Sequence, residues 1–307
     1  MARESILSKT EIEIAGDNRV ELLLFRVGSK QLYGLNVFKL REILYCPKLT
    51  VIPDMHPAVK GVAHIRSYKT IPVISLHQVL NGEYLKDAPV TLICEYNRSV
   101  VGFLISDVDK IIHTEWSKIE PPPKGLSDKH YLTAVTYTDD KLVEILDVEQ
   151  ILSEIMPPDL SVSEELTAES LKEQTGKHTV LIVEDSRTAR RQITSILEKV
   201  GVKCITANDG AQAYTLLKEM TATGESINDQ LLMVISDIEM PHLDGYSLVK
   251  KCREHPQLKE LYIVLNTSIS GEFNRQKAET VGADKFLAKI SGEDLGGIVI
   301  EQINNRA

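Results

Sequence analysis

Residues 234–245 read VISDIEMPHLDG, the close of an apolar run that begins at Leu231 (LLMVI, 231–235) and stops at a single aspartate, Asp237. A run this short and this apolar is the pattern of a strand buried on both faces, as in a parallel sheet covered by helices. A Met-Pro turn starts soon after, at Met240. Such a strand carries its last residue to the edge where parallel sheets bind their ligands. The fold of this half of the chain and the chemistry at Asp237 are therefore one question.

Strand and helix patterns alternate on both sides of that stretch. TVLIVED (179–185) reads as a strand, and a helix is expected from about Arg187 to Val200. Ala189, Ile193, Ile196, Leu197 and Val200 share one face of it, and Gly201 ends it. VKCITAND, AQAYTLLKEM, YSLVKKC, YIVLNTS, EFNRQKAETV, DKFLAK and LGGIVIEQI continue the alternation. Five β/α units in residues 178–307 imply an α/β doubly wound (βα)5 sheet of the flavodoxin-like kind, with helices on both faces.

The strand ends collect reactive groups. The first strand ends in Glu184-Asp185, the third in Asp237 and the fourth in Thr267, and Lys289 follows the fifth. Two carboxylates about 4 Å apart repel by roughly 4 kcal/mol at an effective dielectric near 20. A hard divalent cation relieves that repulsion, and Mg²⁺ suits oxygen ligands that leave several waters in place. Each residue alone has a plainer explanation. Glu184-Asp185 ahead of SRTARR fits an N-cap, Asp237 fits a turn, and Lys289 fits a solvated surface. Their convergence on one sheet edge argues for a site.

LIVEDS, VISDIEMPHLDG, VLNTS and GADKFLAK, in this order and spacing, resemble the response-regulator receiver domain. The resemblance implies that Asp237 is the phosphoacceptor. It groups Glu184, Asp185, Asp237 and the Glu239 backbone carbonyl around Mg²⁺. Thr267 would hydrogen-bond a phosphoryl oxygen, Lys289 would pair with another, and Phe286 falls at the family's switch aromatic. Two positions depart from the pattern. Ile290 follows Lys289 where the family usually has proline, and a cis bond there would cost about 2.5–4 kcal/mol, so a trans bond is expected. Ser268 stands where alanine is usual.

The first half reads differently. VELLLFRV, KTIPVISL, VTLICEY, SVVGFLISDV, YLTAVTYT and KLVEILD are strand-like runs separated by turn signals such as EYNRS and TYTDDK. Many short strands imply a closed or partly closed antiparallel barrel, or a pair of small ones. DVEQILSEI (147–155) has an Asp N-cap and helical spacing, so a helix finishes this half. A polar segment, MPPDLSVSEELTAESLKEQTG, follows as a solvated connector, partly helical at EELTAESLKEQ. The expected division is 1–155, a linker at 156–177, and 178–307.

LLLFRVGSKQLYGLNVFKLREIL, VIPDMHPAVKGVAHIRSYKTIPVISL, VVGFLISDVDKII and LVEILDVEQILSEI resemble the CheW coupling domain of bacterial chemotaxis, whose fold is a pair of small five-stranded barrels. Arg66 matches an arginine of that family's receptor-binding surface, although Ser67 replaces the usual glycine after it. A CheW domain followed by a receiver is the domain order of the CheV family. The resemblance implies an adaptor between chemoreceptor cytoplasmic tips and the histidine kinase CheA, modulated at Asp237. The same parts could serve mainly as a phosphate sink. A Mg²⁺-dependent aspartyl phosphatase fits poorly, because such enzymes carry Asp-x-Asp on the first strand.

Composition is that of a soluble globular protein, 43% hydrophobic and 26% charged. The net charge of −9 argues against nucleic acid and anionic membranes as partners. No apolar run approaches a membrane span of roughly 18 residues. The stretch MARESILSKTEIEIAGDN lacks a signal-peptide core, so the expected location is the cytoplasm, and the resemblance implies receptor arrays beneath the inner membrane. Four scattered cysteines and eight scattered histidines show no zinc or disulfide spacing. Asp107, Asp109, Asp139 and Asp140 read as turn acids, and no catalytic motif is found in 1–155.

Overall fold

The computed structural model describes residues 19–28, 30–81, 88–96, 99–122, 131–158, 160–168, 172, 174–222, 224–267, 272–287 and 291–306. The chain divides into two compact units at Pro158/Asp159.

In the first unit the elements run β1 (Arg19–Arg26), β2 (Leu32–Asn36), β3 (Leu40–Tyr45), β4 (Leu49–Thr50), β5 (Val59–Ile65), β6 (Lys69–Ser75), α1 (Leu76–Asn81), β7 (Val90–Tyr96), β8 (Ser99–Ile105), β9 (Asp107–Glu115), β10 (Leu132–Thr138), β11 (Lys141–Leu146) and α2 (Val148–Ile155). They make two sheets, ordered β10-β11-β2-β1-β9 and β3-β7-β8-β6-β5-β4. The second is inserted in the chain between β2 and β9. It carries one strand more than the expected five, the two-residue β4 paired to β5. Each sheet holds one parallel pair, β11 with β2 and β6 with β8.

A single isolated bridge links the two ends of the first sheet. Just past β9, Glu120 exchanges two backbone hydrogen bonds of 2.8 Å with Val135 on β10. Lys110 of β9 also reaches Asp139 in the β10–β11 turn at 2.5 Å. That turn has φ of +48° at Asp139 and +58° at Asp140, the type I′ geometry that a two-residue hairpin requires. Leu23 and Phe25 of β1, Leu92 of β7, Phe103 of β8 and Ile151 of α2 share one core cluster between the sheets. Each such burial stabilises by about 1.5–3 kcal/mol. The helix starts where expected: Asp147 Oδ1 accepts from the Gln150 amide at 2.8 Å.

The second unit runs β12 (Thr179–Val183), α3 (Arg187–Val200), β13 (Lys203–Ala207), α4 (Gly210–Thr221), α5 (Ile227–Gln230), β14 (Met233–Asp237), α6 (Gly245–Glu254), β15 (Ile263–Asn266), α7 (Glu272–Val281), β16 (Lys285–Leu287) and α8 (Gly292–Arg306). The strands pair in parallel in the order β13-β12-β14-β15-β16, the doubly wound arrangement read from the alternation. Side chains alternate between two layers. Leu181, Val234 and Ile263 pack with α4 and α6, while Val180, Ile235 and Val264 pack with α3 and α8. Gly201 ends α3 at φ +92°, a left-handed C′ position that glycine adopts without strain.

The segment ahead of β12 belongs in part to this unit. Leu160 and Val162 pack against the α3/α8 layer, and Thr175 is wholly buried, with its Oγ1 donating to the Val200 carbonyl at 2.8 Å. Residues that read as a solvated connector thus include buried ones.

Candidate functional site

The parallel register brings the acids level. Val183 lies beside Ser236 and Asp237 beside Asn266, so Glu184 follows β12 at the height of Asp237. One carboxylate oxygen from each of Glu184, Asp185 and Asp237 falls within 4.8 Å of the others. Glu184 is buried, and the other two are half-buried. Among the described residues this is the one such cluster of ligand-bearing side chains.

Local bonding shows what the acids are held for. The N-cap of α3 is Ser186, whose Oγ accepts from the Ala189 amide at 3.2 Å, so capping does not explain Glu184-Asp185. Glu184 Oε1 accepts instead from the Ser186 amide at 3.1 Å. Arg190 on α3 turns back and donates from Nη1 to the carbonyl oxygens of Glu184 and of Asp185, the latter at 3.4 Å. Its guanidinium is half-buried beneath the acidic pair, where burial lowers its pKa and the two carboxylates oppose that shift.

Asp237 is the last residue of β14. Its Oδ2 accepts from the Glu239 amide at 3.1 Å, and its carbonyl accepts from Ser236 Oγ at 2.8 Å. The N-cap of α6 is Asp244, accepting from Ser247 at 2.8 Å, which leaves Asp237 outside that task too. The intervening loop folds tightly back. Leu243 donates to the Pro241 carbonyl at 2.6 Å, and Gly245 donates to Ile238 at 2.9 Å. His242 takes φ +62°. A β-carbon on Gly245 would fall on the Asp237 carbonyl oxygen, so only glycine lets α6 start there.

Thr267 follows β15 directly, is 1% exposed, and is fixed by its amide donating to the Leu287 carbonyl at 3.1 Å. Phe286 in β16 is half-buried against the α4/α6 layer. Lys289, Ile290 and Ser268 lie outside the described residues, as does the Lys289–Ile290 bond. The site as described therefore gathers Glu184, Asp185, Asp237, Glu239 and Thr267 on one sheet edge.

Two neighbours were not singled out in the sequence. Arg190 is one, hidden in the basic run TARR. Tyr246 is the other: it is buried at the start of α6, and its hydroxyl donates to Asn274 on α7 at 3.3 Å. Lys277 lies 4.3 Å over its ring. Burial first, then the charges of Glu239, Asp244 and Asp237, push its pKa up. Its place immediately after Asp244-Gly245 was the available signal.

The donor set consists of hard carboxylate oxygens without thiolate or imidazole, which fits Mg²⁺ and disfavours zinc or copper. Cys46, Cys94, Cys204 and Cys252 are all free thiols. Burial pushes the Cys204 and Cys252 pKa values up to about 12.

In the first unit, Arg66 is exposed in the three-residue turn between β5 and β6 and forms no ion pair among the described residues. The left-handed position of that turn falls on Lys69, at φ +63°, and not on Ser67. Serine therefore fits where the family's usual residue is glycine. Asp107 and Asp109 flank Arg26, at 3.7 and 2.7 Å, and Asp139 pairs with Lys110. No helix among the described residues is long and apolar enough to cross a membrane.

Comparison with known proteins covers both units. Residues 21–156 match the CheW-like domain, and residues 180–296 match the response regulator receiver domain. Chemotaxis protein CheV1 of Helicobacter pylori is 29% identical over 305 residues, which is 92% of this chain and 93% of that protein. CheV3 of the same organism is 29% identical over 292 residues, 90% of this chain and 92% of that protein. Chemotaxis protein CheW of Klebsiella aerogenes is 26% identical over 157 residues, 50% of this chain and 92% of that protein. The chain therefore carries a CheW-like domain followed by a response regulator receiver domain, and its similarity to CheV1 and CheV3 runs through both.

Proposed function

We propose that this chain is a phosphorylatable chemotaxis adaptor: its CheW-like domain couples chemoreceptor tips to the kinase CheA, and phosphorylation of Asp237 modulates the coupling. The observation that carries the reading is the convergence of Glu184, Asp185 and Asp237 within 4.8 Å at the strand ends of a receiver domain. The names of its relatives, chemotaxis proteins CheV1, CheV3 and CheW, support the setting. An adaptor of this kind works in the cytoplasm beneath receptor arrays, and it is not itself an enzyme with a released product.

In the proposed chemistry an Asp237 carboxylate oxygen attacks the phosphorus of a phosphoryl donor and forms an acyl phosphate as the donor group departs with the bond electrons. The Glu239 amide on Oδ2 orients the carboxylate for that attack. Glu184 and Asp185, with Asp237 and the Glu239 carbonyl, would hold Mg²⁺, which supplies charge neutralisation to the phosphoryl oxygens. Thr267 would donate to one of those oxygens, and Lys289 would pair with another. Phe286 is proposed as the aromatic that changes state with the modification.

Incubation with acetyl phosphate and Mg²⁺, followed by intact mass, tests the reading. The expected result is a labile gain of one phosphoryl group in the native chain and none in Asp237→Asn. A gain that persists in Asp237→Asn overturns it. Co-sedimentation with receptor-containing membranes tests Arg66, whose change to alanine is expected to weaken binding; unaltered binding removes it from the interface.

A further inference from the structure

Three arginines crowd the opening of α3, Arg187, Arg190 and Arg191, and its first turn carries no acid. A helix N-terminus is the positive end of the macrodipole, so cations placed there act against it. Arg187 and Arg191 are exposed, where water screens that conflict, whereas Arg190 is half-buried. The helix alone gives no reason to bury a cation at this position.

The reason lies in front of the helix. Arg190 turns back toward the end of β12, and its Nη1 donates to the carbonyl oxygen of Glu184 and, at 3.4 Å, to that of Asp185. Its own backbone is locked: the amide donates to the Ser186 carbonyl at 2.9 Å, and the carbonyl accepts from Thr194 Oγ1 at 2.8 Å. The guanidinium is therefore held under the two residues whose carboxylates join Asp237 in the 4.8 Å cluster. Burial opposes its charge, and the charges of Glu184 and then Asp185 support it.

Three close carboxylates need positive charge whether or not a metal is present, because they otherwise splay or take up protons. A fixed guanidinium supplies that charge to the empty site. The same charge opposes a divalent cation that arrives later, since two cations then share the same carboxylates. Arginine suits this task better than lysine, because its planar fork stays charged and can bond two carbonyls while doing so.

We infer that Arg190 is a positioning residue that serves as the standing counter-cation of the acidic site: it keeps Glu184 and Asp185 assembled when no metal is bound, and it weakens Mg²⁺ binding so that the metal exchanges readily. The inference rests on the proposed Mg²⁺ ligand set and deepens it.

Calorimetric titration of the full chain with Mg²⁺, paired with urea midpoints of the receiver transition in metal-free buffer, tests it. Arg190→Gln removes the charge and keeps a donor for the carbonyls. It is expected to lower the metal-free midpoint and to tighten Mg²⁺ binding about fivefold. Arg190→Lys keeps the charge without the fork, and is expected to bind Mg²⁺ within about twofold of the native chain. Arg191→Gln, which removes an exposed charge from the start of the same helix, is expected to change neither reading. An arginine with only a structural role would lower the midpoint equally with and without Mg²⁺ and leave the affinity unmoved. Unchanged or weaker Mg²⁺ binding in Arg190→Gln overturns the inference, and so does an Arg190→Lys affinity that matches Arg190→Gln. A native chain whose Mg²⁺ binding survives Asp185→Asn overturns the ligand set itself and leaves Arg190 nothing to oppose.

Discussion

Gly245 stands against the carbonyl oxygen of Asp237 with no room between them for a β-carbon. The first residue of α6 therefore packs directly on the strand end that carries Asp237. Alanine would ordinarily favour the helix by about 0.5–1 kcal/mol. Here that gain is outweighed by crowding against backbone, which costs about 1–3 kcal/mol. Gly245→Ala is expected to lower receiver stability by about 1–2 kcal/mol net and to slow labelling by acetyl phosphate. Urea unfolding followed for the receiver transition checks the first part, and an unmoved midpoint would refute the close approach.

Removing one acid should affect the metal-free and metal-bound forms in opposite directions. Three carboxylates within 4.8 Å repel one another, although partial exposure of Asp185 and Asp237 screens the repulsion well below its buried value. Asp185→Asn is expected to raise the unfolding midpoint without Mg²⁺. The native chain at a Mg²⁺ concentration of about 100 Kd gains about 2.7 kcal/mol, and the variant should lose most of that gain. A variant that Mg²⁺ still stabilises fully would take Asp185 out of the ligand set.

The receiver should weaken in mild acid through His178. Its pKa lies below the ordinary 6.5, because of burial first and then the charges of Arg306 and Lys177. The unfolded chain takes up the proton as pH falls through 6.5, while the folded chain resists until a lower pH. Stability therefore falls as pH drops through that window and levels off below the folded pKa. His178→Gln should flatten the dependence between pH 7.5 and 5.5, measured by urea midpoints; an unchanged slope would assign it to other groups.

Thr175 closes the connector onto α3 with a wholly buried hydroxyl that donates to the Val200 carbonyl at 2.8 Å. Valine fills the same volume but strands that carbonyl. Thr175→Val should cost about 1–3 kcal/mol, with no effect on acetyl phosphate labelling of Asp237. Loss of labelling at full stability would contradict the separation.

The receiver was legible because its signals are short-range: Gly201 after an amphipathic helix, apolar strands bounded by turns, and acids at successive strand ends. The first unit was harder. LYGLN and LREILY were not recognised as β2 and β3, since Gly34 interrupts one and alternate residues of the other face outward. In β9, DVDKIIHTE, most side chains are exposed, so no buried face marks the strand. Arg190 escaped notice because a basic residue in a first helical turn has many uses. The buried role of Thr175 depends on Val200, 25 residues onward, and the packing of Ser161 and Leu166 depends on Gly292 and Gly296, far later in the chain. Neither contact leaves a local pattern.

The Glu120–Val135 bridge has a further consequence. Lying five residues past β9, it covers one position of the β10 edge and leaves the rest of both edge strands without a described strand partner. Exposed edges invite strand addition and open-ended polymerisation. Exposed charges on β9, Asp107, Asp109 and Lys110 among them, guard that edge instead.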